Sequence, residues 1–321
     1  VFSVLQNADL SPIQISQKNA DHFLSHQPTL VRNPYTFLTP KTLVGLEIEV
    51  ENVLYINPNA LLMLLQMKDD GSLRNNGREF ITPGAMPMSL SEPALQLLFN
   101  SLNNDVDFSN RTSIHVHMDV RQLTFDQLLS LLYIYSTVEN LLFKFVGNSR
   151  RSNIFCVPLT ETGLLQGLSP NPEIFINLIE HNWHKYTALN LLPVMNLGTV
   201  EFRHMPGTLD TTKLIRWIDM IGRLKVAAYR YPSKNILNII MSLNSNSHYR
   251  QFVESIFDIL TVYLDMSSLL QDMEKPVFII KNCTMANTFN TKAINMVTYD
   301  SQLGSKLYSW MADLSNEQIA D

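Results

Sequence analysis

A chain of 321 residues, 45% hydrophobic and 17% charged, is long enough to bury one large core or two ordinary ones without staples. Its net charge of −5 and sequence pI near 5.9, with no basic block, argue against an extended nucleic-acid surface. Two cysteines, Cys156 and Cys283, lie far apart and in no metal-like spacing, which argues against a disulfide framework and fits a reducing, cytoplasmic setting.

Residues 1–40 mix Asn, Gln and Ser with scattered hydrophobics, and Pro12, Pro28, Pro34 and Pro40 break any long helix, so this stretch reads as an irregular lead-in. GLEIEVE, Gly45 to Glu51, follows. Side chains alternate across a strand, so Glu47, Glu49 and Glu51 share one face while Leu46, Ile48 and Val50 share the other. Same-face neighbours stand roughly 6.7 Å apart, and carboxylates held that close repel unless cations lie between them. Hard divalent ions such as Mg²⁺ answer that need; a solvated edge strand with its glutamates outward is the bland alternative. Asn57 to Met67 reads as a short apolar helix, and Asp70-Gly71 and Asn76-Gly77 mark turns around short extended pieces. Ser89 with Glu92 forms a capping-box pattern, Pro93 in the first turn, for a helix to about Asn103.

A second alternating strand, Ser113 to Val120, sets His115, His117 and Asp119 against Ile114, Val116, Met118 and Val120. Thr124 with Gln127 caps a long apolar helix to about Val146. Its longest apolar stretch, Leu128 to Val146, is broken by Ser136, Thr137, Glu139, Asn140 and Lys144, and no N-terminal signal pattern is visible, so no membrane is expected. A loop carries Arg150 and Arg151, and a short helix spans Pro172 to Asn182. The third alternating strand, Thr199 to Met205, puts Glu201 and Arg203 opposite Val200, Phe202 and His204, and Asp210 or Thr211 caps a helix to about Tyr229. Past Pro232 the chain is helix-like and has no further alternating charged strand. The expected division is a lead-in at 1–40, a catalytic part at 41–232 and a helical extension at 233–321.

Three strands with ionisable groups at i and i+2 suggest a sheet whose apolar side packs on helices and whose polar side lines a cation-binding cleft. Asp70 and Glu79 add carboxylates near turns, and Arg150, Arg151 and Arg203 add cations suited to phosphate oxygens, an inventory typical of nucleotide-dependent chemistry. The His-X-His pair also admits a zinc hydrolase, with His181 and His184 as the only third-ligand spacing on offer. No GxxxxGK[ST] or GxGxxG loop occurs.

GLEIEVE, then KDDGSL with GREFITP, then SIHVHMDV, then KYTALNL with TVEFRHMPGTLD, resemble in order the motifs of the amidoligases, relatives of glutamine synthetase and glutamate–cysteine ligase, over about Leu43 to Leu224. The resemblance implies an α+β fold, a glutamine-synthetase-like curved antiparallel sheet backed by helices, and ATP-dependent joining of a carboxylate to an amine. Carried over, Glu47, His115 and Glu201 would hold one Mg²⁺ or Mn²⁺ near the γ-phosphate, and Glu49, Asp70 and Glu79 a second ion nearer the amine. His117 would face phosphate or substrate, Arg203 would meet the transferring phosphoryl group, and Arg151 or Arg150 would contact phosphate. Tyr186 and Asn190 would be structural or lie on the nucleotide side. The substrates would be an amino acid, peptide or protein carboxylate and an amine, with neither nucleic acid nor membrane as a partner. No segment matches the glutamate-bearing flap of glutamine synthetase. The rival readings are a metal-dependent amidase on the same face and a binding protein that has lost turnover. Asp119 and Glu51 read as solvated, and His204 as a packed core imidazole.

Overall fold

The computed structural model describes residues 43–56, 65–102 and 105–296, with side chains to Cys283. The lead-in at 1–40 and most of the helix expected at Asn57 to Met67 lie outside the described residues. The end of that expected helix is instead strand: Gln66–Asp69 is β2, paired antiparallel with β3, Arg78–Ile81. A cross-strand ladder there satisfies the backbone groups that an isolated helical turn would leave open.

The sheet has seven strands, all antiparallel, in the order β2-β3-β1-β5-β7-β6. β1 is Leu43–Val50, β5 Ser113–Asp119, β6 Leu189–Asn190 and β7 Thr199–Pro206; the two-residue β4, Met86–Pro87, pairs with the start of β1. The three charged strands anticipated from the alternation are therefore adjacent at its centre. In register, Glu47 lies opposite His115 and His117 opposite Glu201. Between Ile114 and Val116 the β5–β7 register shifts, an extra β7 residue that leaves both His204 and Met205 in the core while Glu201 and Arg203 stay on the other side.

The apolar face carries Leu46, Ile48, Ile114, Val116, Met118, Val200 and Phe202, all buried. It packs on α2, Phe125–Val146, and α5, Thr211–Arg230, whose Trp217 meets Phe202 edge-on at 6.3 Å. Each such buried side chain contributes roughly 1.5–3 kcal/mol by removal from water. The capping box of α2 forms as expected, Gln127 N donating to Thr124 Oγ1 at 3.2 Å and Thr124 N to Gln127 Oε1 at 2.9 Å. The box expected at Ser89 does not form. A 3-10 turn, Met88–Leu90, already occupies that stretch, and α1, Ser91–Ser101, starts behind Leu90 with no side-chain cap.

α3 is Pro172–Asn182 and α4 the short Leu192–Leu197, which ends on Gly198 at φ 67 before β7. A Cβ on Gly198 would stand 2.4 Å from Arg121 Cγ, so this junction requires glycine on both counts. After α5 come α6, Ser233–Ser242, α7, Asn246–Phe257, and α8, Leu269–Met296. α6 and α8 pack on α2: Ser233 N donates to Asp126 Oδ2 at 3.0 Å, and Lys144 Nζ meets Asp272 Oδ2 at 2.6 Å. α2 is thus enclosed on all sides. By length and composition it is the one helix among the described residues that could cross a membrane, but 78% of its apolar window is buried inside the molecule, the mark of a core helix.

Candidate active site

The polar face of β1, β5 and β7 is the floor of a cleft of about 210 Å³. Glu47, Glu49, Ser113, His115 and Arg203 come from the three strands. Asp70, Ser72 and Glu79 come from β3 and the turn before it, and Arg111, Phe155, Lys185 and Tyr186 from loops. These side chains share a face because strand period places them there, and they share a site because β3, β1, β5 and β7 are neighbours.

Glu47 stands between the two histidines, its Oε1 3.0 Å from His117 Nε2 and its Oε2 3.2 Å from His115 Nδ1. Burial would raise the Glu47 pKa, but His117 and His115 together hold it well below the usual carboxylate range. His117, completely enclosed, is shifted upward: burial opposes its charged form, and Glu47 outweighs burial. Its Nδ1 is fixed by Thr199 Oγ1 at 3.0 Å. Glu201 accepts from Asn190 Nδ2 at 2.6 Å and from Arg203 at 2.5 Å, and its Oε1 lies 3.2 Å from His115 Nδ1.

The tautomer of His115 follows from its neighbours. Ser113 Oγ donates its one proton to Glu49 Oε2 at 2.7 Å, so His115 Nε2, 2.7 Å from the same oxygen, is the donor there. That leaves Nδ1 aimed at two carboxylate oxygens, one from Glu47 and one from Glu201. Arg203 Nη1 also approaches Nδ1, at 3.5 Å, and a cation shared among the imidazole and the two carboxylates would satisfy the arrangement.

Potential ligand atoms of Glu47, His117 and Glu201 lie within 4.8 Å of one another, and so do those of Glu49, Asp70 and Glu79. The second group is the one the resemblance implies. In the first, His117 stands where the resemblance implies His115, although both imidazoles border the Glu47–Glu201 pair. Glu79 shows the electrostatic cost of the second group. Burial, then the charges of Glu47 and Glu49, push its pKa up to about 7. All-oxygen donors in that number suit a hard divalent ion, and the first group adds imidazole.

The other candidates are placed differently. Arg150 is buried, its Nε and an Nη donating to the carbonyls of His204 at 3.2 Å and Arg203 at 2.8 Å, so it clasps the β7 backbone. Arg151 donates to Asn140 and, at 2.8 Å, to Glu161 Oε1. Neither lines the cleft. Asp70 does serve its turn, accepting from Ser72 N at 2.8 Å, while also facing Glu49 and Glu79. Glu51 and Asp119, expected in solvent, are buried: Glu51 accepts from Arg74 N at 2.9 Å, and Asp119 binds Arg121 at 2.7 Å. Burial opposes the Asp119 charge, but Arg121 and Lys225 hold its pKa down. His204 is a core imidazole, driven down to about 3 by burial and by Arg150. His181 and His184 join neither ligand group.

Residues 66–224 match a family model described as "Putative amidoligase enzyme". That match supports an amidoligase relationship for the segment. It runs from β2 into α5, so it holds every strand of the cleft floor except β1, whose Glu47 and Glu49 are brought in by pairing with β3 and β5. The match points to an amide-bond ligase. Compared with curated proteins, the chain matches none. Within the matched segment, Lys185 and Arg111 are cleft residues that pattern reading passed over. Lys185 stands inside KYTALNL and could have been noticed as its only cation. Arg111 precedes β5 in a loop with no periodic signal.

Proposed function

We propose that the protein is an ATP- and Mg²⁺-dependent carboxylate–amine ligase of the cytoplasm, and that its open sheet is a glutamine-synthetase-like platform. The observation that carries the reading is the pair of ligand groups side by side on one sheet face, with a guanidinium at their edge. Glu47, Glu201 and an imidazole would hold one Mg²⁺ or Mn²⁺, and Glu49, Asp70 and Glu79 a second; the approach of His115 Nδ1 to both Glu47 and Glu201 at 3.2 Å and the upward shift of Glu79 fit such occupancy. ATP, when bound, supplies the phosphoryl group that converts the substrate carboxylate to an acyl phosphate, from which an amine displaces phosphate.

The chain's own residues prepare this chemistry. Asn190 fixes Glu201, Ser113 fixes Glu49, and Thr199 fixes His117, each by a hydrogen bond of 3.0 Å or less. Arg203 is held by Glu201 and by the Phe155 carbonyl at 3.3 Å, its planar fork ready to meet phosphoryl oxygens without reorganisation. The substrates are an amino acid, peptide or protein carboxylate and an amine.

The test is a screen of carboxylic acids with ATP, Mg²⁺ and hydroxylamine. ADP, phosphate and a hydroxamate are expected, and Glu201→Gln should abolish them with an unchanged circular-dichroism spectrum. Release of AMP and pyrophosphate would move the chemistry to an acyl adenylate, and amide cleavage without nucleotide would replace the ligase with a metal-dependent amidase.

A further inference from the structure

The cations at the cleft are unequally committed. Arg203 is engaged by Glu201 and Phe155 O, and Arg111 donates to the Ser72 carbonyl at 2.9 Å. Lys185 also lines the cleft, yet among the described residues no carboxylate stands within ion-pair reach of it. Its Nζ sits over the Tyr186 ring, 4.9 Å from the centroid. Arg203 Cζ lies 5.9 Å from the centroid of the same ring, and Phe155 meets it edge-on at 5.2 Å.

We propose that Lys185, seated on Tyr186, is the residue that meets the phosphate oxygens of the nucleotide in this cleft, in the place that sequence reasoning gave to Arg150 and Arg151. The inference rests on the ligase reading above and deepens it.

Three features support the placement. The segment is rigid where it matters: Thr187 N donates to His184 O at 3.0 Å and Val157 N to Tyr186 O at 2.8 Å, so Lys185 projects from an anchored turn. The side chain of Lys185 is exposed at the cleft rim, and its ammonium rests on an aromatic face, which attracts a cation without neutralising it. Finally, Lys185 and Arg203 share one ring, so two cations converge on one side of a cleft whose other side is carboxylate. A single substrate carboxylate calls for one cation. A polyphosphate bridging to cations held by Glu49, Asp70 and Glu79 calls for more, and lysine serves phosphate well as a point charge.

Binding of Mg²⁺ and mant-ATP to the full chain, followed by fluorescence, tests the assignment independently of turnover. Lys185→Met should weaken binding about tenfold, as expected for loss of one charge-assisted hydrogen bond. Lys185→Arg should restore most of it, and Arg151→Met should bind as the parent does. Inorganic tripolyphosphate should compete less well against Lys185→Met than against the parent, and adenosine equally against both. Unchanged nucleotide affinity in Lys185→Met overturns the proposal. So does a loss confined to Arg151→Met, or a Lys185→Met defect that appears only in the affinity for the carboxylic substrate. A parent chain that binds no Mg²⁺–mant-ATP at all would instead overturn the ligase reading itself.

Discussion

Glu79 offers the sharpest measurement. Burial and the charges of Glu47 and Glu49 raise its pKa to about 7, so near neutral pH it shares a proton that a divalent ion must displace. With a midpoint of about 7, ion binding should release about 0.9 proton at pH 6, about 0.5 at pH 7 and about 0.1 at pH 8, and apparent affinity should rise about tenfold from pH 6 to pH 8. The sign for the metal-free protein is opposite. Folded Glu79 keeps its proton above the unfolded value of 4.5, so its contribution to stability falls as pH rises from about 4.5 towards 7. Thermal stabilisation by Mg²⁺ should therefore be larger at pH 8 than at pH 6. Calorimetric titration with Mn²⁺ in two buffers of different ionisation enthalpy counts the protons directly. Glu79→Gln should weaken the second ion and remove the pH dependence together. Equal affinity at pH 6 and pH 8 with no proton released, or an unchanged pH profile in Glu79→Gln, would refute the account of Glu79 as a ligand strained by its neighbours.

Arg203→Lys keeps the charge and loses the planar fork that reaches Glu201 and the Phe155 carbonyl; turnover should fall by about ten- to a hundredfold with nucleotide affinity changed far less. Near-parent turnover would make Arg203 a local ion-pair partner only. Deeper in the core, Glu139 is fully buried and accepts from Tyr135 OH at 2.6 Å, Leu159 N at 2.6 Å, Thr160 N at 2.9 Å and Thr160 Oγ1 at 2.7 Å. Glu139→Gln turns an amide donor towards those donors and should cost about 2–4 kcal/mol in urea unfolding. A loss under about 1 kcal/mol would mean that the loop after β5 and α2 is held by packing rather than by this carboxylate.

The alternation of Glu47 with Glu49, of His115 with His117 and of Glu201 with Arg203 was legible in the sequence because strand period is a local property that depends on no partner. So were the Thr124 cap and the burial of α2, since a cap is a contact across three residues and an all-round apolar helix has only one kind of place to go. Local patterns also misled. The Ser89 box lost to a 3-10 turn, and Glu51 looked solvated because its partner, the Arg74 amide, comes from another part of the chain; Asp119 has Arg121 close by in sequence, but its burial and the approach of Lys225 depend on the fold. What only tertiary structure decided is the pairing order. β1, β5 and β7 are distant in sequence, and their adjacency and register put Glu47 across from His115 and His117 across from Glu201. The orientation of long cationic side chains was decided there too. Arg150 turned to backbone carbonyls and Arg151 to Asn140 and Glu161, because a flexible side chain takes its place from the nearest acceptors, and those belong to segments that folding brings together; Lys185, resting on the adjacent Tyr186 ring, faces the cleft because folding carries its turn there.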